Sequence, residues 1–371
     1  EVWAPFNEYP YSRSGIGEAQ DRLSKYDLNK FNPWYWYRLK QYVDLADRKN
    51  LLLWHDHYNQ HNIIEEGAHW CDYPWRSANN INNLGFPEKT LFAGDKRVYM
   101  AEQFYDITRP VIRKYHQLFI RQSVNTFHDN NGVIHSIGME YTGPLHFMKF
   151  WLEEIASCPN HQLVALTATK DVQDAVLQDS LYKIVDIIDI RQWHYRNDGS
   201  LYEPQGGCSL APRQWARLID PGTTSCESIY RAVYEYRSRY PEKAVTYNAA
   251  MPRNVEGNAA NWAVFMAGGS LAKVPPIEAM DVYTLASKFQ PVASLTESNR
   301  QWVMGKAQKG YLVYCLETDI HLDLSHDRKT YKVVWINPVN GEIFRKEQTR
   351  LKGGKVISLK APQKYCVCLL Y

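Results

Sequence analysis

From about residue 31 to 275 the chain alternates segments of helical apolar spacing with short apolar runs, a pattern that commits it to parallel sheet with helical crossovers. Phe31-Asn-Pro33 opens a helix with proline just inside it, and Trp34 to Lys49 continues it. Leu51-Leu-Leu-Trp-His55 reads as a strand and runs into the polar string His55-Asp-His-Tyr-Asn-Gln-His61. A long loop, 62–95, leads to a helix over Val111–His128. The run Val133–Met139 is then a buried strand, entered through Asp129-Asn-Asn-Gly132 and left through Gly143-Pro144. Further strands fall at 162–168, 185–190, 244–248 and 268–272, separated by helices at 145–156, 171–178, 225–240 and 261–266.

That makes six strands, where a complete (β/α)8 TIM barrel has eight. The expected fold class is α/β, of the TIM-barrel type, with its first two strands preceding Glu1. A smaller doubly wound sheet explains six strands without loss, but explains the long polar strand-end loops less well. After about residue 290 the pattern changes. Short strands at 310–315, 331–336, 341–344, 355–359 and 365–370 are separated by turn residues, and Asn337-Pro-Val-Asn-Gly341 is a hairpin connection. The expected domains are a barrel over 1–290 and a small antiparallel β-sandwich over 291–371.

The formal charge of +3 is spread rather than blocked, so no Lys/Arg run marks a nucleic-acid surface. Seven Cys is an odd number and no disulfide framework; Cys366 and Cys368 alternate along one strand and share a face. No apolar stretch is long enough to span a bilayer. The chain opens Glu-Val-Trp, with neither an initiator Met nor a signal peptide. The expectation is that an upstream segment has been removed and that the protein is periplasmic or extracellular. A monomer or weak oligomer with no organic cofactor is expected. The 12 Trp and 26 Tyr, many beside Asn, Gln, His and Arg, lean toward carbohydrate, although such residues also build large cores.

Glu140 ends the apolar run 133–139. A carboxylate where a buried strand meets its following loop is costly without a job or a partner, and in a barrel the strand ends are where catalytic residues gather. The alternative is a carboxylate satisfied by a neighbouring Arg or Lys.

Six stretches span nearly the whole chain: Phe31-Asn-Pro-Trp-Tyr-Trp36, His69-Trp-Cys-Asp-Tyr-Pro-Trp-Arg76, Ala101-Glu-Gln-Phe-Tyr105, Glu140-Tyr-Thr-Gly-Pro-Leu-His-Phe147, Ala168-Thr-Lys-Asp-Val-Gln-Asp174 and Phe265-Met-Ala-Gly-Gly-Ser270. In their order the chain resembles a family of barrel glycoside hydrolases of polysaccharide-degrading bacteria. These carry a C-terminal sandwich labelled collagen-binding, a label resting on fold analogy. The resemblance implies an acid/base carboxylate at the end of the fourth strand and a nucleophile at the end of the seventh. With two strands missing, Glu140 falls at the fourth. The chain departs from the pattern twice: Met139 stands where such proteins usually have Asn, and Ala244-Val-Thr-Tyr-Asn-Ala-Ala250 carries no carboxylate.

The activity so implied is glycoside hydrolysis by carboxyl acid/base catalysis, which needs two carboxyl groups, one of raised pKa. The candidates beside Glu140 are Asp189, Asp56 and Asp72. Asp189 is otherwise an interstrand residue paired with Arg191, Asp56 otherwise orients His55 or His57, and Asp72 otherwise pairs with Arg76. His55, His57 and His61 invite a metal site with Asp56 or Glu140, but alternating His before Asn and Gln is also a sugar-binding rim, and no metal is expected. Arg76, Gln103, His146, Arg191, Trp193, His194, Tyr247 and Asn248 complete the expected substrate-binding set. Trp193 is either a stacking platform or a cap on the core. Arg76 and Arg191 meet either an acidic sugar or ordinary carboxylates. No Gly-x-Ser-x-Gly elbow occurs. The competing reading is a non-catalytic carbohydrate-binding protein on a degenerate barrel.

Overall fold

The computed structural model describes residues 9–64, 70–88, 98–139, 141–203, 223–252, 258–277, 282–344 and 350–371. The chain divides into two compact units, Glu1–Trp193 with Glu203–Ile219 and His194–Tyr202 with Asp220–Tyr371.

In the first unit, strands β1 (Tyr11–Arg13) and β2 (Tyr26–Phe31) form an antiparallel pair. Helix α1 (Pro33–Arg48) starts where the sequence places it, because the Asn32 side chain accepts from the backbone N–H of Trp34 and Tyr35 with proline at the first helical position. It buries Tyr35, Trp36 and Val43. Then follow β3 (Leu53–Asp56), α2 (Gln60–Ile64), α3 (Val98–Tyr105), α4 (Pro110–Thr126), β4 (Val133–Ser136), α5 (Leu145–Ala156), β5 (Leu163–Thr167), α6 (Lys170–Leu177) and β6 (Ile187–Ile190). Strands β3, β4, β5 and β6 lie side by side in that order, and all are parallel. The turn into β4 is fastened to α1: Asp47 accepts from the Asn130 amide and from the backbone N–H of Gly132. The long segment expected as loop holds α2 and two short 3-10 turns, Trp70–Asp72 and Ser77–Asn79.

The second unit contains the two-stranded β7 (His194–Tyr195) and β8 (Leu201–Tyr202), then α7 (Cys226–Arg239), β9 (Ala244–Tyr247), α8 (Ala259–Met266) and α9 (Val282–Ala286). After these come β10 (Gln290–Pro291), β11 (Gln301–Lys306), β12 (Gly310–Cys315), β13 (Asp319–Asp323), β14 (Thr330–Ile336), β15 (Arg350–Lys352), β16 (Val356–Lys360) and β17 (Cys366–Leu370). One sheet has the order β10-β11-β12-β17-β14-β15, and β13 pairs with β16 in a second. Both sheets are antiparallel, and Ile320, Leu322 and Ile357 of the smaller share one core with Val313, Tyr331 and Cys368 of the larger. Cys366 and Cys368 both face that core. The molecule is thus mixed α/β, with a parallel sheet and several antiparallel ones.

Two expected strands are corrected. Residues 268–272 form a turn, because Gly268 (φ +80°) and Leu271 (φ +56°) take left-handed backbone that no strand can contain. Over 341–344 only a single bridge forms, Ile336 to Ile343. Among the described residues no helix is long and apolar enough to cross a membrane.

Candidate functional site

Residues paired across a parallel sheet, and residues two apart along a strand, point to the same face. The register therefore sorts the candidates. Asp56 pairs with Ser136, Ser136 with Ala165, and Thr167 with Asp189, so Trp54, Asp56, Ser136, Thr167 and Asp189 share one face near the carboxyl ends of four strands. His55 pairs with His135 and lies, like His57, on the other.

The histidine face is the helix-packed face. His55 meets Phe127 and His57 meets Trp151, with ring centroids 5.1 and 5.4 Å apart. Trp151 Nε1 donates to His57 Nδ1 (3.1 Å), which leaves the His57 proton on Nε2, directed at His135 Nδ1 (2.9 Å). His135 Nε2 in turn donates to the Gln162 side-chain oxygen Oε1 (2.7 Å). Burial lowers the proton affinity of all three rings, that of His135 to about 4, so the relay is neutral. The expectation that His55 and His57 form a sugar-binding rim is corrected on this point: both are buried under helices. The His61 side chain lies outside the described residues.

The opposite face holds the carboxyl groups. Asp189 is fully buried and accepts from Thr167 Oγ1 (3.1 Å) and, as an ion pair, from Arg191 Nε (2.9 Å). The Arg191 guanidinium stands 5.9 Å from the centre of the Trp54 ring. Asp56 is 3% exposed, and its Oδ1 has no hydrogen-bond partner among the described residues. Desolvation raises the Asp56 pKa; a hydrogen bond with Ser136 and the charge of Arg191 work against this, and the charge of Asp189 adds to it. One face thus carries a carboxyl group whose pKa is raised by burial and another bound to a guanidinium.

Glu140 lies outside the described residues. The residues beside it are held: the Gln192 side-chain amide donates to the Met139 carbonyl, and the Tyr141 hydroxyl donates to that of Pro144 (2.8 Å). His146, in the first turn of α5, bonds through Nε2 to the Tyr105 carbonyl (3.1 Å), and the Tyr105 hydroxyl donates to Gln60. Gln103 is partly buried on α3. Arg76 pairs with Glu88 (3.2 Å) and also donates to Gln20 and the Cys71 carbonyl, so Glu88 stands where Asp72 was expected; Asp72 is exposed.

Trp193 as a stacking platform is also corrected. It is 0% exposed and donates to the Gln173 side-chain oxygen Oε1 (2.7 Å), while the Gln173 side-chain amide donates to the Leu166 and Asp189 carbonyls. It caps the core. His194, Tyr247 and Asn248 belong to the second unit. There the buried His194 lies against Tyr202 and contacts Thr223 Oγ1, the Tyr247 hydroxyl donates to the Ala250 carbonyl, and Asn248 is exposed. Sequence reasoning overlooked Trp54, Ser136, Thr167, His135 and Gln162. Period-two spacing back from Asp56 and Asp189 would have found Trp54 and led to the facing strands. Among the described residues no three His, Cys, Asp or Glu side chains are placed to hold a metal ion.

A family model described as "Domain of unknown function (DUF6298)" matches residues 1–289. The chain belongs to that family. The DUF6298 region contains the parallel strands β3 to β6 and both carboxyl groups of the face just described. No curated protein matches the chain. Among solved structures, a Paenibacillus polymyxa xyloglucanase from Glycoside Hydrolase Family 44 is 11% identical with a TM-score of 0.31, over 69% of this chain and 60% of that one. The DUF6298 chain therefore spans about 60% of the length of that neighbour. Cel44A, a family 44 endoglucanase from Clostridium thermocellum, is 9% identical with a TM-score of 0.31, over 98% of this chain and 92% of that one. A TM-score of this size bears on neither the fold nor the activity of the DUF6298 chain.

Proposed function

We propose that this DUF6298 protein is a glycoside hydrolase that cleaves a complex polysaccharide or oligosaccharide by carboxyl acid/base catalysis. The observation that carries the reading is the difference between two carboxyl groups on one sheet face: Asp56, whose pKa burial raises, and Asp189, whose carboxylate is oriented by Thr167 and Arg191. In this mechanism Asp56 gives its proton to the departing glycosidic oxygen. Asp189 then acts on the other side, activating water or meeting the anomeric carbon according to the separation of the two groups. Glu140, at the exit of the strand between them in sequence, is the competing proton donor by resemblance. The barrel architecture and a periplasmic or extracellular location belong to the same proposal.

The test is a panel of plant and host glycans given to the wild-type chain and to Asp56→Asn, Asp189→Asn and Glu140→Gln. Cleavage by the wild type, with Asp56→Asn and Asp189→Asn each slowed by about 100-fold or more, is the expected result. Wild-type rates in both aspartate variants would remove the assignment. Slowing by Glu140→Gln but not Asp56→Asn would transfer the acid role to Glu140. Binding of glycans without any cleavage would make the chain a carbohydrate-binding protein.

A further inference from the structure

The second unit contains an open cavity of about 400 Å³ between α7 and the segment that leads into β11. Tyr230 and Tyr234 of α7 and Trp302 of β11 line one wall. Their spacing is no accident of composition. Positions 230 and 234 are one helical turn apart, so their side chains leave α7 on the same face. Tyr234 lies parallel to Tyr230 (5.6 Å between ring centres, 15° between planes), and Tyr230 parallel to Trp302 (5.7 Å, 14°). The series continues inward through Tyr314 (5.8 Å, 2°) to Trp262 (5.7 Å, 8°). Five nearly parallel rings therefore run from a fully buried tryptophan out to two half-buried tyrosines at the cavity. At such centre distances parallel rings overlap only partly, so each outer ring keeps part of its face uncovered. The inner rings hold the outer ones at a fixed tilt, because Trp262 is itself fastened through Nε1 to the Pro338 carbonyl (2.9 Å).

The remainder of the lining is polar: Glu227, Thr296, Ser298 and Asn299 bring carboxylate, hydroxyl and amide groups to the cavity, with Glu297 and Arg231. Arg231 is already engaged, its guanidinium lying over the Tyr195 ring (4.1 Å) and donating to the Gly199 carbonyl (3.1 Å). Two carboxylates against one engaged cation disfavour a polyanion. A flat, rigid aromatic surface facing hydroxyl and amide groups matches a molecule with an apolar ring face and a polar edge. We propose that this cavity is a binding site for a neutral oligosaccharide, whose sugar rings stack on Tyr234 and Tyr230 and whose hydroxyls bond to Glu227 and Asn299. It is distinct from the Asp56–Asp189 face and does not rest on the hydrolase reading.

The experiment uses the whole chain and a panel of cello-, xylo-, manno- and chito-oligosaccharides with an oligogalacturonide as the acidic control. Binding is read by calorimetry and by tryptophan fluorescence, since Trp302 lies directly behind Tyr230. At least one neutral oligosaccharide should bind. Tyr234→Ala should weaken it about fivefold or more, whereas Tyr234→Phe should retain it, because the ring face supplies the contact. Asn299→Ala, at an exposed position, should weaken binding without disturbing the fold and keeps the test decisive if Tyr234→Ala does not fold. Asp56→Asn should bind as the wild type does. Binding to none of the neutral sugars would overturn the proposal, as would preference for the acidic control. It would also fall if Tyr234→Ala and Asn299→Ala both bound normally. Binding without cleavage would sink the hydrolase reading while leaving this one standing.

Discussion

Asp56 and Asp189 occupy one sheet face, but substitution should affect them in opposite directions. Burial raises the folded pKa of Asp56 above its unfolded value, so its contribution to stability is present at low pH and is lost as pH rises through the folded pKa. Asp56→Asn removes an ionisation that the site disfavours and preserves shape, so the melting temperature at pH 7 should hold or rise even as the proposed activity is lost. Asp189→Asn instead breaks a buried ion pair with Arg191 and should cost ~3 kcal/mol. Equal destabilisation by both, measured by denaturant unfolding, would show that Asp56 is ionised and structurally paired. The positions of the two acids at strand ends were legible in the sequence, which says where they lie and not what they do. Their partners were not. Ser136 and Thr167 are ordinary strand residues until the register sets them beside Asp56 and Asp189. The same limit left Trp193 open between a stacking platform and a cap on the core, since the Gln173 side chain that accepts its indole N–H lies 20 residues away in sequence.

At the scale of elements, the strands β3 and β4 were legible from their apolar runs, but not which face of β3 would meet the helices. Alternation alone cannot distinguish a polar face turned to a site from one turned into packing, and His55 and His57 went to the packed side. The consequence can be measured. His135 titrates at about 4 in the folded chain and near 6.5 unfolded, so the unfolded state takes up its proton first. Stability should be full above pH 6.5, fall as the pH drops and level off below about 4, by roughly 3 kcal/mol for this ring alone. His135→Gln should flatten that slope, and an unchanged slope would show that the relay does not govern it. The turn at 337–341 is the opposite case, read correctly because its chemistry is local. Gly341 takes φ +77°, and a Cβ there would stand 1.9 Å from the Pro276 carbonyl oxygen. Gly341→Ala should therefore lose at least about 2 kcal/mol, combining left-handed backbone with a backbone clash; a loss below 0.5 kcal/mol, on the order of an ordinary surface change, would contradict it.

At the scale of the whole molecule, the change from helix-and-strand alternation to short strands near residue 290 is a change of period and was visible as such. Which segments cohere is a different question, decided by contacts that periodicity does not encode. Residues 220–290 fall in the same compact unit as the C-terminal strands. Within that unit the Trp262 ring of α8 lies against Tyr314 of β12, and its indole N–H reaches the Pro338 carbonyl. Nothing in Asn261 to Met266 distinguishes this tryptophan from one that serves its own helix. A fragment of residues 291–371 keeps every strand of the two antiparallel sheets except β10 but loses Trp262, and with it the inner end of the aromatic series. Losing a buried tryptophan costs about 3–5 kcal/mol, which in a unit of this size lowers the melting temperature by roughly 6–20 °C. A fragment of residues 194–371 retains the packing. The shorter fragment should therefore melt well below the longer one in parallel thermal scans. Coincident transitions would mean that the sheets carry their own stability and that α8 adds nothing to it.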